Sequence, residues 1–314
     1  MVSAPSYRRH PFSLRRSFHR QVLPFLLLLP ALVLVGLVLG YPIVQLVATS
    51  FQQLGVFQLI SHQVIWAGFS NYKTLFSTGQ FFNSLEQTIL FVVGTVGLTM
   101  VLGTGVALLM GRVGRVLRIV MTVAMLLAWA MPSVAASTVW QWLFETQWGV
   151  VNYILVQLGF SSFGSHDWFA SQISAYGVIV AMIVWQAIPF IALSMFAALT
   201  LVPRDLYEAA AVDGASPPTI FRAVTFPIVR PIFVLLTVLS IIWDSNVFNQ
   251  VWVLTGGRAQ VLNVQPLGVW QYITAFSSQQ YGLGAAVAIV TILLLLVVTG
   301  YYIRTMVRTG QAEA

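Results

Sequence analysis

The residue of this sequence with the clearest chemical potential is Asp244, a carboxylate that lies in a long apolar segment directly after Trp243. An ionisable side chain within a membrane-length apolar segment is costly unless it faces water or a partner, so it indicates a functional site by default. A carboxylate accepts hydrogen bonds from paired hydroxyl groups, and an indole ring packs against the C–H face of a pyranose. The pair therefore predicts a sugar contact. The alternative is an aspartate that simply lies near the outer membrane interface.

A second group of residues forms a short polar island, 206–227, between two long apolar segments. Strong helix formers precede Gly214, which can adopt the left-handed conformation that ends a helix. Ser216 is suited to cap a second helix, and Pro217 to begin it, because the first turn does not need the missing N–H. This second helix is predicted to end near Ala223. We therefore expect two small helices joined by a sharp turn, which is typical of a docking element. The alternative is an ordinary amphipathic surface helix.

Several other chemistries are not supported by the sequence. The only lysine, Lys73, lies in Asn-Tyr-Lys-Thr, so the chain has no glycine-rich phosphate loop with which to hydrolyse ATP. Cysteine is absent and no G-x-S-x-G hydrolase motif occurs. The histidines are scattered at His10, His19, His62 and His166, without the spacing of metal ligands. We therefore expect neither an enzyme nor a cofactor or metal bound by this chain.

The composition indicates how these residues are positioned. The chain is 58% hydrophobic and 7% charged, with a mean hydropathy of +0.87, whereas a soluble domain is about a quarter charged. It is therefore predicted to be an all-α polytopic membrane protein with six transmembrane helices, because lipid-facing backbone groups must be hydrogen-bonded within their own segment. The six predicted spans are about 22–50, 88–110, 116–139, 174–199, 228–250 and 284–303.

The basic residues predict the orientation of these spans. All of the 15 Lys and Arg residues except Lys73 and Arg258 lie on one side of the predicted membrane. Positive charge favours the cytoplasmic side, so both termini and the 206–227 island are predicted to be cytoplasmic. Because the basic residues flank the ends of spans, membrane topology and anionic lipid explain the net charge of +7 better than nucleic acid does.

The polar island also has a recognisable spacing. It reads Glu208-Ala209-Ala210, three residues, Gly214, nine residues, and then Val224-x-Phe226-Pro227. This spacing resembles the EAA loop of binding-protein-dependent ABC importer permeases, in which Ile and Leu usually stand where this chain has Val224 and Phe226. In that family the loop is cytoplasmic and inserts into a cleft of the ATPase subunit. The resemblance implies that the coupling residues are Glu208, Ala209, Ala210, Asp213 and Gly214. It also implies that Glu208 pairs with a basic residue of the ATPase subunit.

A second resemblance concerns the segment 240–257, which ends in Thr255-Gly256-Gly257. It is similar to the fifth span and following loop of carbohydrate-type permeases, the maltose-permease-like subunits, once a one-residue gap is allowed. The positions that this implies for the substrate pathway are Ile183, Gln186, Ala187, Phe190, Ser240, Trp243 and Asp244. Trp243 and Asp244 differ from the residue types found at these positions in the maltose-permease-like subunits. The resemblance therefore implies which positions line the pathway, but not which sugar passes through it.

The resemblance also implies a domain organisation, with the fold of a type I ABC importer permease. A basic cytoplasmic tail, 1–21, precedes a six-helix transmembrane permease domain, 22–305, which contains the coupling loop 203–227. Residues 306–314 form a cytoplasmic C-terminal tail. The expected location is a bacterial or archaeal cytoplasmic membrane, which the chain crosses several times with both termini cytoplasmic.

By the same resemblance, the chain is a subunit of an ATP-driven importer that takes up a di- or oligosaccharide by alternating access. Its expected partners are a second, homologous permease, two ABC ATPase subunits that bind ATP and Mg, and an extracytoplasmic solute-binding protein. Two alternatives remain open: a permease of the same family for a glycerophosphodiester, and a secondary transporter driven by an ion gradient with Asp244 as its relay. Copurification of an ATPase and the ligand of the binding protein discriminate among the three.

Overall fold

The structure is a computed structural model that describes residues 27–312, with side chains to Arg304. The helices, numbered in chain order, are α1 (Leu27–Ser50), α2 (Val56–Ser61), α3 (Ser70–Ser77), α4 (Gly79–Arg112), α5 (Arg115–Ala130), α6 (Ser133–Leu143), α7 (Val150–Gln157), α8 (Gln172–Leu199), α9 (Arg204–Val212), α10 (Pro217–Asp244), α11 (Asn249–Leu254), α12 (Leu267–Tyr272) and α13 (Tyr281–Ala312). The predicted tail 1–21 lies outside the described residues. The backbone of the predicted 306–314 tail continues α13 as far as Ala312.

Five of the described helices are single membrane-length spans: α1, α4, α8, α10 and α13. The third predicted span, 116–139, is wrong as a single helix. It consists of α5 and α6, which meet at an angle of 99°. Pro132 explains the break, because a residue before proline is pushed out of the helical region, and Met131 accordingly has φ −69° and ψ 126°. Residues 27–312 contain six candidate spans when this bent pair is counted as one, and the all-α fold is confirmed.

The fifth predicted span, 228–250, also differs from the structure. Its helix begins at Pro217 and ends at Asp244, so the second small helix of the polar island does not end near Ala223. A π-helical turn, Phe221–Thr225, precedes Pro227. A wider turn at this point relieves the clash between a proline ring and the preceding turn of the helix. The polar island and the fifth span therefore share one helix of 28 residues, about 42 Å long.

The centre of the bundle is the pair α4 and α8, which make the most extensive contact between elements. At Gly103 of α4 the two backbones approach so closely that an added Cβ would lie 2.7 Å from Cγ2 of Ile191 on α8. Small residues allow such approaches in membranes, where dispersion contacts rather than hydrophobic burial hold helices together. Helices α5 and α10 pack against this pair, and α1 packs against α13. The pair α4–α8 is thus the frame on which the other spans are placed.

One hydrogen-bond cluster fixes the segment that follows α11 to this frame. The Oε1 atom of Gln87 on α4 accepts hydrogen bonds from the Tyr176 hydroxyl of α8 at 2.6 Å and from the backbone N–H of Gln265 at 2.8 Å. The backbone N–H of Leu267 donates to Oγ1 of Thr88 at 2.8 Å. Buried polar groups need such partners, and these bonds hold the turn between α11 and α12 against α4.

Candidate functional site

The first candidate site is the hairpin of α9 and the start of α10, and its local structure follows from its sequence. Gly214 has φ +74°, as predicted for a left-handed helix end. The N–H of Ala215 donates to the carbonyl of Ala210, and the N–H of Gly214 donates to that of Ala211. These two bonds form a Schellman cap. Ser216 lies at the N-terminus of α10 as predicted, and its hydroxyl is hydrogen-bonded to Thr219 rather than to the backbone.

The hairpin projects from the bundle with few contacts of its own. Every side chain of α9 is exposed except those of Tyr207 and Ala210, which are half-buried. Tyr207 packs against the core, and its hydroxyl accepts a hydrogen bond from Thr225 at 3.2 Å. Val212 is 87% exposed. Within residues 27–304, Glu208 is exposed and lies in ion-pair range of no basic side chain. An exposed helix that combines an unpaired carboxylate with apolar side chains is suited to bind another protein.

The second candidate site is a cavity of about 270 Å³ between α5, α6, α8, α10 and α11. All seven residues of the predicted substrate pathway line it, although they come from two distant parts of the sequence. Those seven are Ile183, Gln186, Ala187, Phe190, Ser240, Trp243 and Asp244. The 3.6-residue period of α8 and α10 turns one face of each helix towards the same space. Their common location leaves their role as sugar contacts a prediction.

Three aromatic rings form one wall of this cavity. The Phe190 ring stacks on Trp129 with 6.1 Å between centroids and an angle of 19°. It meets Trp243 edge to face at 5.2 Å. Trp243 is half-exposed, so part of its indole face is free. Aromatic faces of this kind bind the C–H faces of ligands while tolerating variation in the ligand's hydroxyl groups.

The polar groups of the cavity lie among these apolar walls. Asp244 is 8% exposed, and its carboxyl group lies close to Thr95 on α4, whose hydroxyl donates to the backbone carbonyl of Phe91 at 2.9 Å. The amide of Gln186 donates to the carbonyl of Met131 at 3.0 Å, which satisfies a backbone group released by the break between α5 and α6. Among residues 27–304, Asp244 is the only charged residue in the lining. The described residues of the lining thus combine one carboxylate, two amides and two hydroxyls with aromatic faces, and none of them is basic.

The sequence reasoning missed five residues of the lining. They are Trp129, Ser133, Ile191, Val247 and Gln250. Pro132 could have indicated two of them, Trp129 and Ser133, because it lies between them in the sequence. A proline within an apolar run marks a helix break of the kind that lines cavities. Gln250 has no comparable signal, because α11 folds back to the cavity only through its tertiary contacts. No group of three or more possible metal ligands occurs among residues 27–304.

A family model described as "Binding-protein-dependent transport system inner membrane component" matches residues 103–307. The chain is 44% identical to a diacetylchitobiose uptake system permease protein of Streptomyces coelicolor, over 92% of this chain and 88% of the relative. It is 31% identical to a trehalose/maltose transport system permease protein of Thermococcus litoralis, over 90% of this chain and 92% of the relative.

Solved structures agree with this match at the level of the fold. A chain of a bacterial ABC transporter that imports the acidic polysaccharide alginate superimposes with a TM-score of 0.80 at 20% identity, covering 94% of this chain and 98% of that chain. A second structure of an alginate transporter, in complex with a periplasmic protein that holds an alginate pentasaccharide, gives a TM-score of 0.74 at 18% identity and covers 92% of this chain and 95% of that chain. The predicted fold and the family resemblance are both confirmed.

Proposed function

This chain belongs to the family of binding-protein-dependent transport system inner membrane components, and from that membership we propose that it is the permease subunit of an ABC importer for a neutral di- or oligosaccharide. The observation that carries the proposal is the continuity of α10. Its first turns belong to the exposed hairpin. Its last residue, Asp244, lines the cavity of the second candidate site, which is called the central cavity from here on. One helix therefore joins the surface that receives force to the place where the substrate passes.

The cavity supports a sugar as the substrate. Its aromatic wall suits the C–H faces of pyranose rings, and the Asp244 carboxylate and the amides of Gln186 and Gln250 suit hydroxyl groups. The two relatives named above carry sugar names, and diacetylchitobiose is the first substrate to test. A glycerophosphodiester is disfavoured because its negative charge would approach Asp244 with no basic group in the lining to offset the repulsion.

The energy must come from other subunits. Because the chain has no phosphate-binding loop, ATP and Mg are bound by two ABC ATPase subunits on the cytoplasmic side. The exposed face of α9 docks into a cleft of one of them, with Glu208 paired to a basic side chain of the ATPase. Ala209 and Ala210 allow close approach, and Asp213 and Gly214 form the turn. The carboxylate of Glu208, which is unpaired within residues 27–304, supports this role.

The other partners complete the pathway. A second, homologous permease covers the face of the bundle that this chain leaves open, since α1 is exposed along its whole length apart from its final turns. An extracytoplasmic solute-binding protein delivers the sugar to the opposite side. Both termini are cytoplasmic, an orientation that the distribution of basic residues supports, and the complex lies in a bacterial or archaeal cytoplasmic membrane.

Transport then proceeds by alternating access. When the ATPase subunits close on ATP, they move the hairpin, and α10 carries that displacement to its other end. The tightly packed pair α4–α8 remains in place, so Ser240, Trp243 and Asp244 shift relative to Gln186 and Phe190. Such a displacement of one rigid helix against a fixed pair opens and closes a cavity without unfolding any segment.

Reconstitution tests the proposal directly. The chain is coexpressed with its second permease and its ATPase, purified, and inserted into proteoliposomes with the solute-binding protein. We expect uptake of labelled diacetylchitobiose or a related disaccharide that requires ATP inside the vesicle. Uptake by the purified chain alone, driven by a proton or sodium gradient, would overturn the proposal in favour of a secondary transporter.

A further inference from the structure

A cavity of about 800 Å³ lies at the hairpin end of the bundle, far along α10 from the central cavity. It is bounded by the last turns of α4 and α8, the first turns of α5 and α10, and one side of α9. Among the residues whose side chains are described, 27–304, three basic residues line it, Arg112, Arg118 and Arg204, and no acidic residue does. Three like charges around one open space repel each other, and they raise the local concentration of anions.

Arg118 has a fixed position in this cavity. Its Nε donates to the carbonyl of Met110 at 2.8 Å, and its Nη2 donates to that of Val113 at 3.1 Å. Its guanidinium also lies 5.3 Å from the centroid of the Phe196 ring. These contacts neutralise the carbonyl groups at the end of α4. They engage two of the five N–H groups of the side chain, so Arg118 contributes a rigid positive charge to the cavity wall.

Arg112 and Arg204 have a different environment. Both are exposed, and within residues 27–304 neither forms an ion pair with an acidic side chain. They approach the cavity from separate elements, because Arg112 ends α4 and Arg204 begins α9. The other lining residues are mostly apolar, with Leu108 and Leu199 among them. The cavity thus combines two free guanidinium groups with a mostly apolar lining.

We propose that this cavity binds a phosphate group of an anionic ligand, held by Arg112 and Arg204 with Arg118 behind them. Guanidinium groups match phosphate oxygens with paired, charge-assisted hydrogen bonds. The phosphate comes either from an anionic phospholipid, whose glycerol backbone would lie on the apolar wall, or from a soluble phosphate ester of the cytoplasm. The inference rests on the proposed function for its orientation, since only a cytoplasmic hairpin brings this cavity to the inner leaflet.

A ligand in this position joins parts that must move relative to each other. It contacts the hairpin through Arg204 and the end of α4 through Arg112, so it restrains the displacement that α10 carries to the central cavity. Occupancy of the cavity therefore makes the coupling between ATP hydrolysis and uptake depend on the anionic phospholipid in the membrane or on the phosphate ester in the cytoplasm.

The test measures binding to the complete importer and needs neither ATP nor sugar. In one arm, native mass spectrometry counts phosphatidylglycerol bound to the detergent-purified complex. In the other, equilibrium dialysis measures binding of labelled glycerol 3-phosphate. The variant Arg112→Gln/Arg204→Gln removes the two free guanidinium groups. The control Arg115→Gln/Arg222→Gln removes the same charge from exposed residues nearby that do not line the cavity.

We expect the first variant, and not the control, to bind at least one of the two probes about tenfold more weakly than the unmodified importer. Loss of phosphatidylglycerol identifies the lipid as the source, and loss of glycerol 3-phosphate identifies a soluble ester. Equal binding of both probes by both variants and the unmodified importer, or equal loss in both variants, overturns the inference. An importer that fails to transport sugar but retains this arginine-dependent binding overturns the proposed function alone.

Discussion

The two ends of α10 have opposite surroundings. At Pro217 the helix emerges from an exposed hairpin whose side chains make few contacts within the chain. At Asp244 it ends in a cavity lined by residues of four other helices, where the carboxylate is almost fully buried. The hairpin folds through contacts between residues adjacent in the sequence, whereas the cavity is assembled from distant segments. From this difference we expect mutations at the first end to impair coupling, and mutations at the second end to impair recognition of the substrate.

The largest effect is expected at the hairpin. Glu208→Lys places a positive charge opposite the basic side chain of the ATPase, and juxtaposed like charges at an interface cost several kcal/mol. ATP-dependent uptake in proteoliposomes should fall about a hundredfold, while sugar binding to the complex is retained. Glu86→Lys, which reverses an exposed carboxylate of α4 at the other end of the bundle, serves as the control. Normal uptake by Glu208→Lys would contradict docking through this residue.

Asp244→Asn is expected to have the next largest effect. It should impair recognition of the sugar rather than coupling to ATP hydrolysis. The asparagine keeps the shape of the side chain and removes charge-assisted hydrogen bonds to sugar hydroxyls, each of which contributes about 1.5–3 kcal/mol. The apparent KM for the sugar should rise at least about tenfold, with ATPase assembly unchanged. Asn246→Ala, two residues further along and outside the cavity lining, should leave KM unaltered. A KM equal to that of the unmodified importer would reduce Asp244 to a structural residue.

The local folding of the hairpin could be predicted because its signals are adjacent in the sequence. Gly214 must accept a positive φ, and Ser216 with Pro217 must begin a helix, whatever packs around them. The continuation of α10 through Pro227 could not be predicted in this way. It depends on a π-helical turn, Phe221–Thr225, and on packing against α4 and α8, neither of which has a signal in the local sequence.

The lining of the cavity shows a different limit. The face shared by α8 and α10 follows from helical periodicity, and the family resemblance identified its residues. The contribution of Trp129 depends on the 99° bend between α5 and α6, which turns one span into two helices. Pro132 marks where such a break can occur, but its angle is set by packing. The contribution of Gln250 arises only when α11 folds back on the bundle, so no short stretch of sequence encodes it.

Trp129→Ala tests this unpredicted part of the cavity with a smaller expected effect. It removes the ring that stacks on Phe190, and aromatic pairs contribute about 0.5–1.5 kcal/mol beyond their buried area. We expect KM for the sugar to rise about three- to tenfold. Trp129→Phe retains a stacking face and should restore most of the affinity. If the two variants behave identically in uptake measurements, the stacked wall does not contribute to recognition.

The smallest effect on transport is expected in the frame between the two ends. Gly103→Val introduces a side chain where Ile191 already lies within 2.7 Å of an added Cβ, whereas the same change at Gly105 meets nothing within 4 Å. Overpacking of this kind costs about 1–3 kcal/mol. Thermal denaturation of the purified importer should therefore begin at a lower temperature for Gly103→Val than for Gly105→Val. Equal thermal stability would show that α4 and α8 are not a rigid frame.

The most direct test of the account is the accessibility of the hairpin to a reagent that cannot cross the membrane. The chain has no cysteine, so Ala211→Cys on α9 and Gln147→Cys between α6 and α7, on the side that we expect to face outwards, each introduce a single, exposed target. We expect an impermeant maleimide to label Gln147→Cys in intact cells. It should label Ala211→Cys only in inside-out vesicles, and there only until the ATPase subunits are bound. Labelling of Ala211→Cys in intact cells would contradict the account, because a hairpin outside the cell cannot receive force from a cytoplasmic ATPase.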